Sequence, residues 1–425
     1  MAAAPTAPVE TLCDTAGTRC RNRTPSRMLR VLHVLPSFHS GGMERLVTRL
    51  ICAEPTALQD EGTTASLAHG LCVLHDGDKQ LLDACRPHAP ILMLERPSRD
   101  YLAWLHLRRV INAFQPHVVE ALSTGVWLDA VLATRGLRRP RLVLSFHGRA
   151  DLDPLSSIRL RLNTWCVRRA DAVVTVSRES AQRIVHEWDA PPLHMHTIPN
   201  GLDLGHYRPA VDRDEQQHLR HVLGLPTESP LALCVANLVP IKALDVLLHA
   251  WRQVRMMHRS AQLVLAGDGP LRDELQRQAI ALGCDSSVRF LGARRDVELL
   301  MRAADVFVLS SSYEGCSIAI QEAMASGLPV VATHAGGNNE LVAFGQTGWL
   351  VPPDRPDQLA ERLQLMLADQ WMRQRMGRAA RELAVRRFGL DRCAREYASL
   401  YASLTYPGCP AADRLPATEV LPCAG

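Results

Sequence analysis

Short apolar runs recur along this chain, separated by helix-patterned stretches, and this alternation restricts the fold more than any other feature. Runs at residues 30–35, 71–74, 91–94, 118–122, 142–146 and 172–177 read as strands, with helical patterns at 101–114, 126–135 and 154–169 among them. Strands that are apolar along their whole length are buried on both faces, as in a parallel sheet covered by helices. A polar, helix-prone linker at 207–230 follows, and the pattern then restarts with runs at 231–236, 262–266, 288–291 and 305–310. A chain of 425 residues is too long for one core, so two α/β units are expected.

Composition narrows the class. Apolar residues make up 47% and charged residues 22%, which is ordinary for a globular protein. No apolar run is long enough for a membrane span. Residues 1–27 lack the apolar stretch of a secretory signal and read as a disordered leader, as 406–425 reads as a disordered tail. The twelve cysteines form no Cys-x-x-Cys pair, which argues against a zinc site and for a reducing cytoplasm. Residues 1–210 hold 25 basic and 20 acidic side chains, and the remainder 23 and 24. The basic excess includes Arg135, Arg138, Arg139, Arg141, Arg159, Arg161, Arg168 and Arg169. That suits a solvated surface, or peripheral contact with anionic membrane at its inner face. It is too mild, and too bare of motifs, for nucleic acid.

The residues with chemical potential sit where strands end. After the first strand come Gly41 and Gly42, and two glycines between a strand and a helix let a ligand approach the backbone. His147-Gly148 follows the strand at 142–146, on the carboxyl edge where open α/β sheets bind ligands. After the strand at 305–310, a polar turn leads into Glu314-Gly315-Cys316-Ser317-Ile318-Ala319-Ile320-Gln321-Glu322. Its first carboxylate sits in a loop and its second about a turn and a half into a helix, which ends at Gly327-Leu328-Pro329. The free amides at such a helix start suit a phosphate, and a carboxylate deeper in the helix can reach a sugar diol.

The two glutamates separated by seven residues, with Gly327-Leu328-Pro329-Val330-Val331-Ala332-Thr333 and Gly336-Gly337-Asn338-Asn339-Glu340, resemble the nucleotide-sugar half of retaining glycosyltransferases of family 4. Gly267-Asp268-Gly269-Pro270 and Ile198-Pro199-Asn200-Gly201-Leu202-Asp203 fit the same family, the latter as the lead into an interdomain linker. The resemblance is densest over 231–350. It implies the GT-B architecture, two Rossmann-like domains facing across a cleft: 28–205 with the returning helix 388–405, and 206–387. It also implies transfer of a sugar from a nucleoside-diphosphate sugar to a glycan or lipid-linked acceptor, in cell-surface or exopolysaccharide synthesis, without further cofactor or metal.

Residue by residue, the family pattern assigns the ribose to Glu322. It assigns the diphosphate to Lys242 with the amides of Gly315, Cys316 and Ser317. His147 and Glu314 would line the sugar, with Gly41 and Gly42 near the diphosphate and acceptor, and Arg294 in a loop near the base. The family usually carries Gly-Arg-Leu ahead of Lys-Gly; here Lys242 matches while Ala236, Asn237 and Ala243 depart. Asn237 can donate a hydrogen bond but carries no charge, so Arg294 and Arg295 are candidate substitutes. Three other readings stay open at this point. They are a sugar-nucleotide epimerase of the same fold, an inactive nucleotide-binding homologue, and a metal-dependent transferase using Asp76-Gly77-Asp78 or Asp151-Leu152-Asp153.

Overall fold

The computed structural model describes residues 27–39, 41–53, 65–97, 100–148 and 156–406. Asp151-Leu152-Asp153 and nearly all of the leader and tail lie outside them.

The first half builds a seven-stranded parallel sheet. Its elements are β1 (Arg27–Leu35), α1 (Gly42–Cys52), β2 (Ala65–Val73), α2 (Lys79–Cys85), β3 (Ile91–Met93), α3 (Ala103–Phe114), β4 (Val118–Leu122), α4 (Trp127–Thr134), β5 (Arg141–Phe146), α5 (Ser157–Val167), β6 (Ala172–Thr175), α6 (Arg178–Trp188) and β7 (Met195–Thr197). The strand order is β3-β2-β1-β4-β5-β6-β7. The second half opens with α7 (Arg213–Val222), then β8 (Leu231–Val235), α8 (Leu244–Met257), β9 (Gln262–Ala266), α9 (Arg272–Ala281), β10 (Val288–Gly292), α10 (Val297–Ala303), β11 (Val306–Leu309), α11 (Ile318–Ala325), β12 (Val330–Thr333), α12 (Asn338–Leu341), β13 (Gly348–Val351), α13 (Pro356–Ala368) and α14 (Gln370–Arg387). Its six strands run β10-β9-β8-β11-β12-β13. The two sheets are the two Rossmann-like domains that the alternation implied.

Residues 356–387 fold as two successive helices, α13 and α14. Asp369 separates them, and its carboxylate caps the second by accepting from the Met372 amide. β1 begins at Arg27, earlier than the apolar run suggested, because it pairs with β2 from its first residue.

The last helix, α15 (Leu390–Thr405), packs on α1 and β2 of the first domain. Leu202 and the 388–390 segment exchange backbone hydrogen bonds where the chain crosses back. A buried polar cluster fixes the helix there. Glu120, in the middle of β4, accepts from His33 at 2.7 Å, Ser145 at 2.6 Å and the Tyr401 hydroxyl of α15 at 2.9 Å. Burial opposes the Glu120 charge, yet these hydrogen bonds and the His33 imidazole together hold its pKa below the usual carboxylate range.

Candidate functional site

Both sheets reverse direction of build beside their first strand, at β1/β4 and at β8/β11. In open parallel sheets the crevice outside the carboxyl ends at such a point is where ligands bind. Here the two crevices face each other. They form one cleft of about 580 Å³, lined by Gly41, Gly42, His147, Asn237, Lys242, Arg294, Glu314, Cys316, Ser317 and Glu322. Residues distant in sequence and nominated separately are thus brought together.

Close backbone approach explains the glycines. Gly315 stands so near the other domain that a Cβ on it would lie 3.0 Å from the Gly148 Cα. Gly42 faces Ile318 of α11 in the same way, at 2.6 Å from a built Cβ. Gly336 has φ of +54° and would drive a Cβ into the Glu314 carbonyl oxygen, so it seats the next loop directly on the Glu314 turn. Across the boundary, the Glu340 carboxylate accepts from the amides of Arg178 and Glu179 at the start of α6, at 3.0 and 2.9 Å.

On the floor of the cleft Lys242 donates to Glu314 at 2.6 Å, and Ser311 donates to the same oxygen at 2.6 Å. Lys242 is the last residue of a one-turn helix that hands the chain to α8 through Ala243, which has φ of +44°. Ser317 caps α11, its hydroxyl accepting from the Ile320 amide. Among the described residues the amides of Gly315, Cys316 and Ser317 donate no hydrogen bond. They remain open at the positive end of the helix. Burial raises the pKa of the Cys316 thiol, which stays protonated and is no nucleophile.

Glu322 is buried, and burial raises its pKa, opposed by the charges of Arg49 and Arg45 and by the Tyr207 hydroxyl. His147 projects from the end of β5. Its Nε2 is buried with no hydrogen-bond partner among the described residues, and burial drives its pKa down to about 4. The imidazole is therefore neutral near pH 7.

Other expectations shift. Asn237 reaches the cleft but is exposed. Arg294 lines the cleft and is held by Asp296 through two hydrogen bonds of 2.8 and 2.5 Å, as Lys242 is held by Glu314. Arg295 turns to Gln80 of α2 instead, at 2.5 Å. Asp78 spends its carboxylate capping α2, and Asp76 pairs with His39 at 3.2 Å. Among the described residues no three His, Cys, Asp or Glu side chains converge as a metal site.

Among the lining residues that the sequence did not single out are Glu44, Arg45 and Asn200. Glu44 and Arg45 stand in the first turn of α1, directly after the glycine loop, and that position was the available signal. Asn200 stood only in the segment that leads into the interdomain linker. It is buried at 3% exposure and lines the cleft, and its Oδ1 has no partner among the described residues.

A family model described as "Glycosyl transferases group 1" matches residues 215–383, and one described as "Glycosyltransferase Family 4" matches residues 40–206. A D-inositol 3-phosphate glycosyltransferase of Corynebacterium efficiens is 34% identical over 270 residues, 61% of this chain and 63% of that protein. The chain thus spans just under two thirds of that relative's length. A GDP-mannose-dependent alpha-(1-6)-phosphatidylinositol monomannoside mannosyltransferase of Mycolicibacterium smegmatis is 30% identical over 313 residues, 70% of this chain and 78% of that one. Among solved structures, Anabaena HepE in complex with UDP-glucose superposes with a TM-score of 0.76 over 88% of this chain and all of that one, at 23% identity, a likeness of fold. The paired domain matches, the cleft between them and the relatives lead to one conclusion: the chain belongs to glycosyltransferase family 4, the group 1 glycosyl transferases.

Proposed function

We propose that this protein transfers a sugar, with retention of anomeric configuration, from a nucleoside-diphosphate sugar to a glycan or lipid-linked acceptor. The observation that carries the reading is the convergence in one cleft of Lys242, the open 315–317 amides, Glu322 and an unpartnered, neutral His147. In this reading Glu322 accepts from the ribose hydroxyls. Lys242 and the amides take the diphosphate, with the start of α11 behind them. His147 and Glu314 face the sugar. As the bond from the anomeric carbon to the diphosphate oxygen breaks, Lys242 and the amides meet the growing negative charge, which is electrostatic preorganisation. The acceptor oxygen forms its bond on the same face, and its proton passes to the departing phosphate oxygen. No carboxylate is assigned as a covalent nucleophile. The cations and amides neutralise the diphosphate without a metal ion, and no additional cofactor takes part.

The acceptor side is the first domain. Tyr101, Leu102 and Leu105 at the start of α3 and Ile158 and Leu162 on α5 are exposed, flanked by Arg159 and Arg161. They support peripheral contact with an anionic bilayer from a cytoplasmic protein, and a role in cell-surface polysaccharide or glycolipid synthesis. No helix among the described residues is long and apolar enough to cross a membrane.

A second reading, an inactive nucleotide-binding homologue, is favoured by one observation: Asn237 is uncharged and Lys242 is already paired with Glu314. One experiment separates the two. Nucleoside-diphosphate sugars are screened for nucleotide release in excess EDTA, with and without lipid and glycan extracts, and the product anomer is read by NMR. Acceptor-dependent release with retained configuration supports transfer. Release without acceptor points to an epimerase or hydrolase, and binding without release to the inactive homologue. Rescue by manganese of an activity lost in EDTA would overturn the metal-free mechanism.

A further inference from the structure

Arg49 lies on α1 of the first domain and is not part of the family pattern described above. Its guanidinium crosses the domain boundary and donates to Glu322 Oε1 at 3.4 Å. It also donates to the Gly201 carbonyl at 3.3 Å, in the segment that leads out of the first domain. Its guanidinium carbon stands 5.8 Å from the centre of the Tyr207 ring. Tyr207 is buried, and its hydroxyl faces the same Glu322 carboxylate. Glu322 is therefore gripped by one residue of the first domain, Arg49, and by Tyr207 at the start of its own domain.

We infer that Arg49 and Tyr207 are positioning residues for the donor, orienting the Glu322 carboxylate toward the ribose diol and tying donor binding to closure of the two domains. The inference rests on the reading of Glu322 as the ribose acceptor. A carboxylate inside a helix has rotamer freedom to lose. A grip on one oxygen fixes the plane of the group and leaves ribose to meet a preset acceptor. The Arg49 part of the grip exists only when α1 stands against α11, where Gly42 meets Ile318. Nucleotide bound at Glu322 thus favours the closed arrangement in which the acceptor domain faces the sugar.

The groups facing Glu322 give the pH signature. Arg49 and Arg45 approach from α1 and Tyr207 from the start of the second domain, while Glu44, Lys242, Glu314 and His147 line the same cleft. Burial raises the Glu322 pKa and Arg49 is the largest opposing influence. With Arg49 removed, the folded-state pKa rises further, and the carboxylate protonates at higher pH.

The test uses the full chain and the tighter-binding of UDP and GDP, titrated calorimetrically from pH 4.5 to 8. Arg49→Met is expected to weaken binding by about three- to tenfold near neutrality, a loss below that of a fully buried charged hydrogen bond. It also moves the acid limb of the affinity profile to higher pH. Arg49→Lys restores most of both effects, and Tyr207→Phe gives a smaller loss. Glu322→Gln weakens binding and abolishes the acid limb. If Glu322→Gln weakens binding but Arg49→Met, folded by circular dichroism, keeps wild-type affinity and acid limb, the positioning role is overturned alone. If Glu322→Gln binds like wild type, the ribose reading falls, and this inference with it.

Discussion

Replacing Lys242 by methionine removes one charge and keeps most of the side chain's apolar length, and that charge acts in two places. In the resting protein it sits 2.6 Å from Glu314 Oε1. Breaking a fully buried ion pair from one side costs about 3–5 kcal/mol. Here the Lys242 side chain is 22% exposed and Ser311 still donates to Glu314, so a stability loss of about 1–2 kcal/mol is expected. In the reaction the same charge meets the departing diphosphate. Removing one preorganised donor of this kind costs about 2.7–4 kcal/mol, or about 10²–10³ in kcat. The kinetic loss must therefore exceed the stability loss. Thermal unfolding should fall by about 2–8 °C, while single-turnover nucleotide release falls by the larger factor. Adding Glu314→Gln should recover part of the stability and none of the rate. Full kcat on a folded Lys242→Met protein would refute the reasoning and move the phosphate site elsewhere.

Three further outcomes follow from the geometry. The His147 pKa is lowered to about 4 by burial, so the folded state binds fewer protons than the unfolded one between about 4 and 6.5. Its contribution to stability declines as pH falls through that window, and His147→Gln should flatten the decline in urea titrations. The Glu120 pKa is lowered, so its contribution is full above the unfolded carboxylate range and lost as pH drops through the folded value. Tyr401→Phe should cost about 1–3 kcal/mol at pH 7 and less in acid, and an equal cost at both would contradict the cluster account. Gly336→Ala should disrupt the Glu314 turn, because its positive φ and the Glu314 carbonyl leave no room for a methyl; wild-type donor affinity in a folded variant would contradict this.

The fold was legible because parallel strands are apolar along their length, so β4, β5, β8 and β11 stand out without partners in view. β7 was not, because its three residues are only half-buried and make no apolar run. α2 is a short, mostly exposed helix started by its own aspartate cap, which sequence alone reads equally well as a turn. The glutamate pair was legible because its spacing is local. What reaches Glu322 was not: Arg49 lies 273 residues away and meets it only when the domains face each other. Arg294 lines the cleft, and its counter-ion Asp296, two residues on, is a local pairing that the loop sequence did not single out.

In the proposed mechanism a nucleoside diphosphate lies between the domains with its ribose on Glu322 and its phosphates on Lys242 and the 315–317 amides. A crystal structure of the protein grown with the nucleoside diphosphate released in the sugar screen tests it most directly. A ribose hydroxyl is expected within hydrogen-bond distance of a Glu322 oxygen, with phosphate oxygens on the open amides at the start of α11. Nucleotide bound outside this cleft, or within it with the ribose away from Glu322, would overturn the proposed mechanism.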